Sequence, residues 1–588
     1  MTNSEQSSSL DPVTLEMING ALVAACREMG LTMTRTAYSP VFYEGTDYST
    51  GIFDPKIRHV AQAEGCPSQL GALSTMAEWS IKEIGFDDLQ DGDVIITNDS
   101  YRGGTHLPEF LMIKPIFYED SLIGFAGNIA HHVDVGGMAP GGFPGTATEI
   151  YQEGIIVPPV KMFRRGEEVK EVWKIVLSNV RTAKNSYGDF KAMYGSLVTA
   201  ETRIRDLAKK YGVGTYLNYL EAIMDHAERL MRKEIQKIPT GKYAAEEYVE
   251  DDGVTDDMYT IRCTVTVDRD KMEVDFSGSD RQAKGPVNAP YGVTRSATYN
   301  AIFNLVDPEM PHNYGSFRPV RIIAPPGTIV NVDFPGPLNG GQTETHNLIV
   351  NAVLKALAQA MPEKVGGAEG GTCLLLTAGG LGLNGEPYVF CIWDGVGWGA
   401  REGKDGNNAI VTYCGGHSHN YLTETIENEY PWRINTYELR EDSGGFGKYR
   451  GGLGVVREYE LLGKESRVSA HGNRCKVLPN GLIGGGPGGP SQYLIWKAPG
   501  GAYRSPIETS PELKSPTKFS NMIFREADKI KLLTPGGGGY GNPRERDMSL
   551  VEEDLINGYI SLETAVQIYG LSMDRAKQLV AKYWYPYG

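Results

Sequence analysis

The chain has 588 residues, 41% of them hydrophobic and 22% charged, as in soluble globular proteins, and is long enough for three or four domains. Its formal net charge of -16 argues against a binder of nucleic acid or anionic membrane, which needs a basic surface. No apolar run reaches bilayer-spanning length, and the first residues lack the basic and apolar segments of a secretory signal.

The predicted elements begin after a polar tail of residues 1–10. Asp11-Pro12 reads as an N-cap followed by proline at the first helical position, and Val13, Leu15, Ile18, Leu22, Cys26 and Met29 recur at helical spacing. A second helix is expected from Pro67 to Ile84, a buried strand over Asp93-Val-Ile-Ile-Thr97, and another strand from Ile123 to Val133. Two long helical stretches follow between Ser186 and Lys237, broken at Tyr211-Gly-Val-Gly214. Met258–Val267 and Met272–Phe276 alternate as a β-hairpin around Asp268-Arg-Asp-Lys271, and Ser296–Val306 and Glu344–Met361 read as buried helices. Short strands between glycine-rich turns fill 366–545, and helix returns over 548–585. The expected fold is mixed α+β in several layers, a helix-and-sheet N-terminal region followed by a β-rich C-terminal half. The expected segments are the tail 1–10, an α/β region 11–240, an α+β middle region 241–365, a β-rich region 366–545 and a helical segment 546–588.

Seven scattered cysteines (Cys26, Cys66, Cys263, Cys373, Cys391, Cys414, Cys475), odd in number and without C-x-x-C spacing, fit reduced, mostly buried thiols and a cytoplasmic location. The 72 glycines are not periodic and gather at loop-like places. The tetraglycine before Tyr540 lacks the Gly-Lys-Ser/Thr ending of a phosphate loop and reads as a backbone device.

Three segments carry the chemistry: Glu44-Gly-Thr-Asp47-Tyr-Ser, Asn98-Asp-Ser-Tyr-Arg-Gly-Gly-Thr-His106, and His131-His132-Val-Asp134-Val-Gly-Gly. Asp and His are ligand types for a catalytic divalent metal with an open position, and the segments hang from separate strand ends. Strand alternation puts His132 with Asp134 on one face and His131 with Val133 on the other, so spacing leaves either histidine open as a ligand. Glu44, Asp99, His132 and Asp134 are candidates to orient the ligands, as turn or cap residues also do. Asn339-Gly-Gly-Gln-Thr-Glu344-Thr-His346 could cradle an anion, but a helix start capped by Thr343 or Thr345 is the favoured reading. His417-Ser-His419 reads as a surface loop.

These three segments, with Asp275-Phe-Ser-Gly-Ser, Thr294-Arg-Ser-Ala, Tyr430-Pro, Asp442-Ser-Gly-Gly, Gly451-Gly-Leu-Gly and Thr534-Pro-Gly-Gly-Gly-Gly-Tyr-Gly, resemble the hydantoinase B family over nearly the whole chain. That family holds the B-type subunits of N-methylhydantoinase, 5-oxoprolinase, caprolactamase and acetone or acetophenone carboxylase. The resemblance implies an Asp-His-His metal site mapping onto Asp47, His106 and His131, with a divalent ion such as Zn, Mn or Fe. Gly45-Thr-Asp-Tyr48 departs from the basic residues and Phe that family members often carry there. Glu44 or Asp134 is the expected general base, with His132 beside them. The resemblance also implies an A-type partner that binds ATP and magnesium, in a heterotetramer of two A and two B subunits, acting on a small carbonyl compound. Cyclic-amide hydrolysis is the preferred reaction; a ketone carboxylase subunit or a non-catalytic platform are the alternatives.

Overall fold

The computed structural model describes residues 10–583 and combines four sheets with packed helices, the mixed α+β class expected. Helix Pro12–Thr36 starts where Asp11 accepts from the Val13 and Thr14 N–H groups. Its buried stripe of Ile18, Leu22, Cys26, Met29 and Met33 packs against helix Ala183–Tyr211. Truncating one such side chain, for example Leu22→Ala, costs about 2–5 kcal/mol because a close-packed core leaves a cavity.

The first sheet has seven antiparallel strands in the order β2-β1-β5-β4-β3-β6-β7: β1 (Tyr48–Phe53), β2 (His59–Gln62), β3 (Val94–Thr97), β4 (Glu109–Tyr118), β5 (Ser121–His131), β6 (Val160–Arg164) and β7 (Glu167–Glu168). Both faces are covered, so the central strands are buried throughout rather than alternating with solvent. Leu111, Ile113, Ile129 and Phe125 meet Leu73 and Met76 of helix Pro67–Ile84 on one face, whereas Phe110, Met112, Ala126 and Ala130 join the core under helices Pro12–Thr36 and Ala183–Tyr211 on the other.

The second sheet, β11-β10-β9-β8, contains the expected hairpin: β9 (Tyr259–Asp268) pairs with β10 (Lys271–Asp275), flanked by β8 (Gly241–Val249) and by β11 (Val320–Ile323), whose pairing with β10 is parallel. Helix His346–Leu357 packs on it. The β-rich part supplies two four-stranded sheets. One is β13-β12-β16-β18, from β12 (Leu375–Leu381), β13 (Pro387–Ile392), β16 (Glu465–His471) and β18 (Phe519–Arg525). The other is β14-β15-β19-β17, from β14 (Trp432–Leu439), β15 (Val455–Leu461), β17 (Gln492–Trp496) and β19 (Lys529–Leu533). One hydrophobic cluster runs from Ile18 to Leu532, so the N-terminal sheet and the β-rich sheets share a core.

Two expectations need correction or restriction. Thr343 and Thr345 do not cap helix His346–Leu357: a π-helical turn over Gly341–Thr345 precedes it, and Thr345 Oγ1 donates to the Val287 carbonyl instead. The polar tail expected over residues 1–10 lies, apart from Leu10, outside the described residues, as do 584 and 585 of the last expected helix. The tetraglycine is a packing device, since a Cβ at Gly536 would sit 1.8 Å from the Ser443 carbonyl oxygen. Among the described residues no helix is long and apolar enough to cross a membrane.

Candidate metal centre

Strand register builds the site. Tyr48 opposes Ala130 in the β1–β5 ladder, and one step further the His131 N–H donates to the Asp47 carbonyl at 3.0 Å. On the other side of β5, Glu109 directly opposes His131. Asp47, His131 and Glu109 thus form a row across three neighbouring strands, on the face covered by helix Pro67–Ile84. His106 joins from the turn before β4, its carbonyl accepting from the Glu109 N–H at 3.1 Å.

The side chains converge. His131 Nδ1 lies 3.2 Å from His106 Nε2, His106 Nε2 lies 3.5 Å from Glu109 Oε1, and His131 Nδ1 lies 3.8 Å from Asp47 Oδ2. Atoms bound ~2.1 Å from one tetrahedral cation stand roughly 3.4 Å apart, so the first two spacings fit a shared ion. His106, Glu109 and His131 offer ligand atoms all within 4.8 Å of one another, and Asp47 stands beside that set. The Asn339 carbonyl, 3.4 Å from His106 Nδ1, can only accept; it fixes the proton on Nδ1 and leaves the Nε2 lone pair facing His131. Burial and then His106 hold the His131 imidazole well below its ordinary range, in the neutral form that ligates.

The carboxylates are tied together. Gln69, at the start of helix Pro67–Ile84, donates from Nε2 to Asp47 Oδ1 at 2.8 Å and to Glu109 Oε1 at 2.9 Å. Gln342 Nε2 and Thr105 Oγ1 also donate to Glu109, and the Cys66 thiol donates to Asp47 at 3.1 Å. Burial first, and the charge of Glu109 second, push the Asp47 carboxyl above the usual carboxylate range. Two buried carboxylates sharing one amide beside two imidazoles are an arrangement that a divalent cation relieves, and this nitrogen and oxygen donor set suits Zn, Mn or Fe.

Asp47, Ser68, His106 and His131 open onto a small cavity of about 30 Å³, and Gln342, Thr343, Cys373, Leu375, Trp393 and Cys414 bring walls to it from the second half of the chain. Sequence reasoning missed Glu109, Gln69 and these walls. The one available signal was His106-Leu-Pro-Glu109, two ligand types three residues apart.

The three expected catalytic residues lie outside this cluster. His132 points to the opposite side of the sheet, its ring 4.1 Å from Phe190 and edge-on to Phe42 and Phe110, and burial holds it down at about 3. Asp134 accepts from Gly136, Gly141 and Arg181 backbone N–H groups and pairs with the Arg181 guanidinium at 2.9 Å, which is loop architecture. Glu44 accepts from Leu422 N–H and Thr425 Oγ1 at the start of helix Thr423–Glu429. Asp99 caps a short turn through the Tyr101 N–H and pairs with Arg102. The Asn339 segment holds no anion cradle, because the Leu338 and Asn339 N–H groups are taken by Glu153 and that of Gly340 by the Pro286 carbonyl. His417 and His419 are exposed in a loop.

The family model described as Hydantoinase B/oxoprolinase matches residues 11–543. The chain belongs to this family. An uncharacterised protein of Methanocaldococcus jannaschii is 36% identical over 563 residues, covering 95% of this chain and 96% of that protein. Caprolactamase subunit beta of Pseudomonas jessenii is 31% identical over 576 residues, covering 97% and 98%. The crystal structure of ATP-dependent caprolactamase from that organism superposes with a TM-score of 0.88 at 29% identity, covering 98% of this chain and 99% of that one. Nucleotide-free acetone carboxylase shares the fold, with a TM-score of 0.87 at 19% identity over 98% of this chain and 84% of that one.

Proposed function

We propose that this chain is the metal-carrying subunit of an ATP-dependent cyclic-amide hydrolase that opens a hydantoin, oxoproline or lactam ring. The observation that carries this reading is the convergence of His106, Glu109 and His131, with Asp47 alongside, on one cavity in a chain that matches caprolactamase along almost its whole length. An A-type partner would bind ATP with magnesium and phosphorylate the substrate, in an assembly of two A and two B subunits; the lack of a phosphate-loop ending at this chain's glycine runs supports that division. Seven free cysteines fit a cytoplasmic setting.

His106 through Nε2, His131 through Nδ1 and Glu109 would hold the ion. A divalent metal there supplies Lewis-acid polarisation of a carbonyl and lowers the pKa of water. Asp47, facing the cavity with Oδ2 3.8 Å from His131, is placed to hold a proton, taking the base role expected of Glu44 or Asp134. Trp393 and Leu375 give the cavity an apolar side next to the charged groups.

The test is elemental analysis of the purified complex together with ATP-coupled turnover of lactams, hydantoins and oxoproline. Bound metal with ring opening that fails without it is the expected result; full turnover in metal-depleted protein overturns the reading. Turnover of acetone only with bicarbonate would put a ketone carboxylase in its place, and a metal-free inactive complex would make the chain a platform.

A further inference from the structure

A second cavity, of about 100 Å³, lies where the C-terminal half of helix His346–Leu357 faces the loops around Gly366 and Gly399, and it shares no lining residue with the metal centre. Three cations line it (Lys355, Lys364 and Arg401), and none of its lining residues is a carboxylate. Lys355 is partly engaged, with Nζ donating to the Glu246 carbonyl at 3.1 Å and 3.7 Å from Glu247 Oε1. Lys364 and Arg401 are exposed and make no ion pair among the described residues, although Lys364 Nζ also donates to the Leu305 carbonyl at 3.4 Å. Such a grouping runs against a net charge of -16.

One turn before Lys355 on the same helix, Asn351 also lines the cavity. It is only 4% exposed, and its Nδ2 has no acceptor. A buried donor without a partner costs free energy that an accepting ligand recovers. The wall beside it is backbone laid on backbone: a Cβ at Gly399 would fall 1.7 Å from the Gly367 carbonyl oxygen, and one at Gly367 would fall 2.5 Å from that of Gly538. No side chain can grow there without displacing main chain, so this wall is held rigidly by backbone packing.

We infer that this cavity is a binding site for a phosphate-class oxyanion, with Lys355, Lys364 and the fork of Arg401 supplying charge and Asn351 Nδ2 a buried hydrogen bond. The site stands on its own geometry and does not depend on the reaction proposed for the metal centre. The same oxyanion chemistry could come from inorganic phosphate or from a phosphate monoester, and these are the two sources to separate.

Calorimetric titration of the full-length chain with inorganic phosphate, glycerol 3-phosphate, acetate and chloride tests the assignment. Phosphate or its monoester should bind more tightly than acetate or chloride, and the tighter of the two identifies the source. Lys364→Gln and Arg401→Gln should each weaken that binding by at least about tenfold, as expected for charge-assisted hydrogen bonds, and the double variant should abolish it. His106→Ala should leave it unchanged, which separates this site from the metal centre. Equal affinity in the double variant, loss in His106→Ala, or acetate and chloride binding as tightly as phosphate would overturn the inference. Both substituted side chains are exposed, so the variants keep the fold.

Discussion

Glu109 stands directly across the β4–β5 ladder from His131, so a carboxylate and an imidazole are held together by strand register rather than by a loop. Opposed residues carry Cβ atoms about 4.5–5.5 Å apart, close enough for their side chains to reach one ion. Glu109→Gln keeps the shape and loses the charge; it should lower metal content by at least about tenfold, as loss of a ligand or its close support does. Asp47→Asn should keep most of the metal and lose ATP-coupled turnover. Elemental analysis beside turnover separates the two, and the reverse pattern would exchange the roles of these residues.

His132 should be replaceable. Its ring sits among Phe42, Phe110 and Phe190 with Nε2 3.5 Å from the Met193 sulfur, and it is neutral at working pH. His132→Phe should change stability by no more than about 1 kcal/mol, as a near-isosteric core exchange does, and leave turnover intact. A hundredfold fall in turnover with normal unfolding behaviour would return this residue to the chemistry.

Gln69→Leu removes the amide that bridges Asp47 and Glu109. Each carboxylate loses a buried donor, at a cost of about 1–3 kcal/mol. A bound cation offsets that loss, so the destabilisation should be larger after chelation than in metal-loaded protein. Thermal unfolding with and without chelator measures it, and equal shifts in both states would argue against a cation between the two carboxylates.

Glu153 supplies a pH dependence. Burial pushes its carboxyl up to about 8, and Oε1 accepts from the Leu338 and Asn339 N–H groups at 2.8 and 3.0 Å. The unfolded chain releases this proton near about 4.3. Between that value and the folded one the native state binds the extra proton, so this group's contribution to stability falls as pH rises. Glu153→Gln should therefore gain in melting temperature relative to the unsubstituted chain from about pH 5 to about pH 9, spanning the two values. Parallel curves across that range would refute the shifted carboxyl.

Elements with local punctuation are legible in the sequence. Asp11-Pro12 opens the first helix, Pro67 opens the second, and the Asp268–Lys271 turn closes the hairpin at the expected place. The family and its two histidine segments are legible for the same reason: short motifs carry them. Glu109 is not, because Pro108-Glu-Phe-Leu-Met-Ile reads as the start of a buried strand and only pairing with a strand ending 22 positions later shows what the acid faces. The choice between His131 and His132 likewise needs the aromatic residues at 42, 110 and 190 brought around the second ring. Trp393, Cys373 and Cys414 reach the cavity through tertiary packing alone.

The walls contributed by Trp393, Cys373 and Cys414, and the bonds from Thr46 to the His417 carbonyl and from Leu422 to Glu44, join stretches more than 240 residues apart in sequence. During synthesis the ligand-bearing strands leave the ribosome long before their enclosure exists. On the proposed function, an ion would meet these strands before the walls from the second half are in place. Metal supply during translation, rather than affinity in the finished protein, would then set how much of the chain matures loaded.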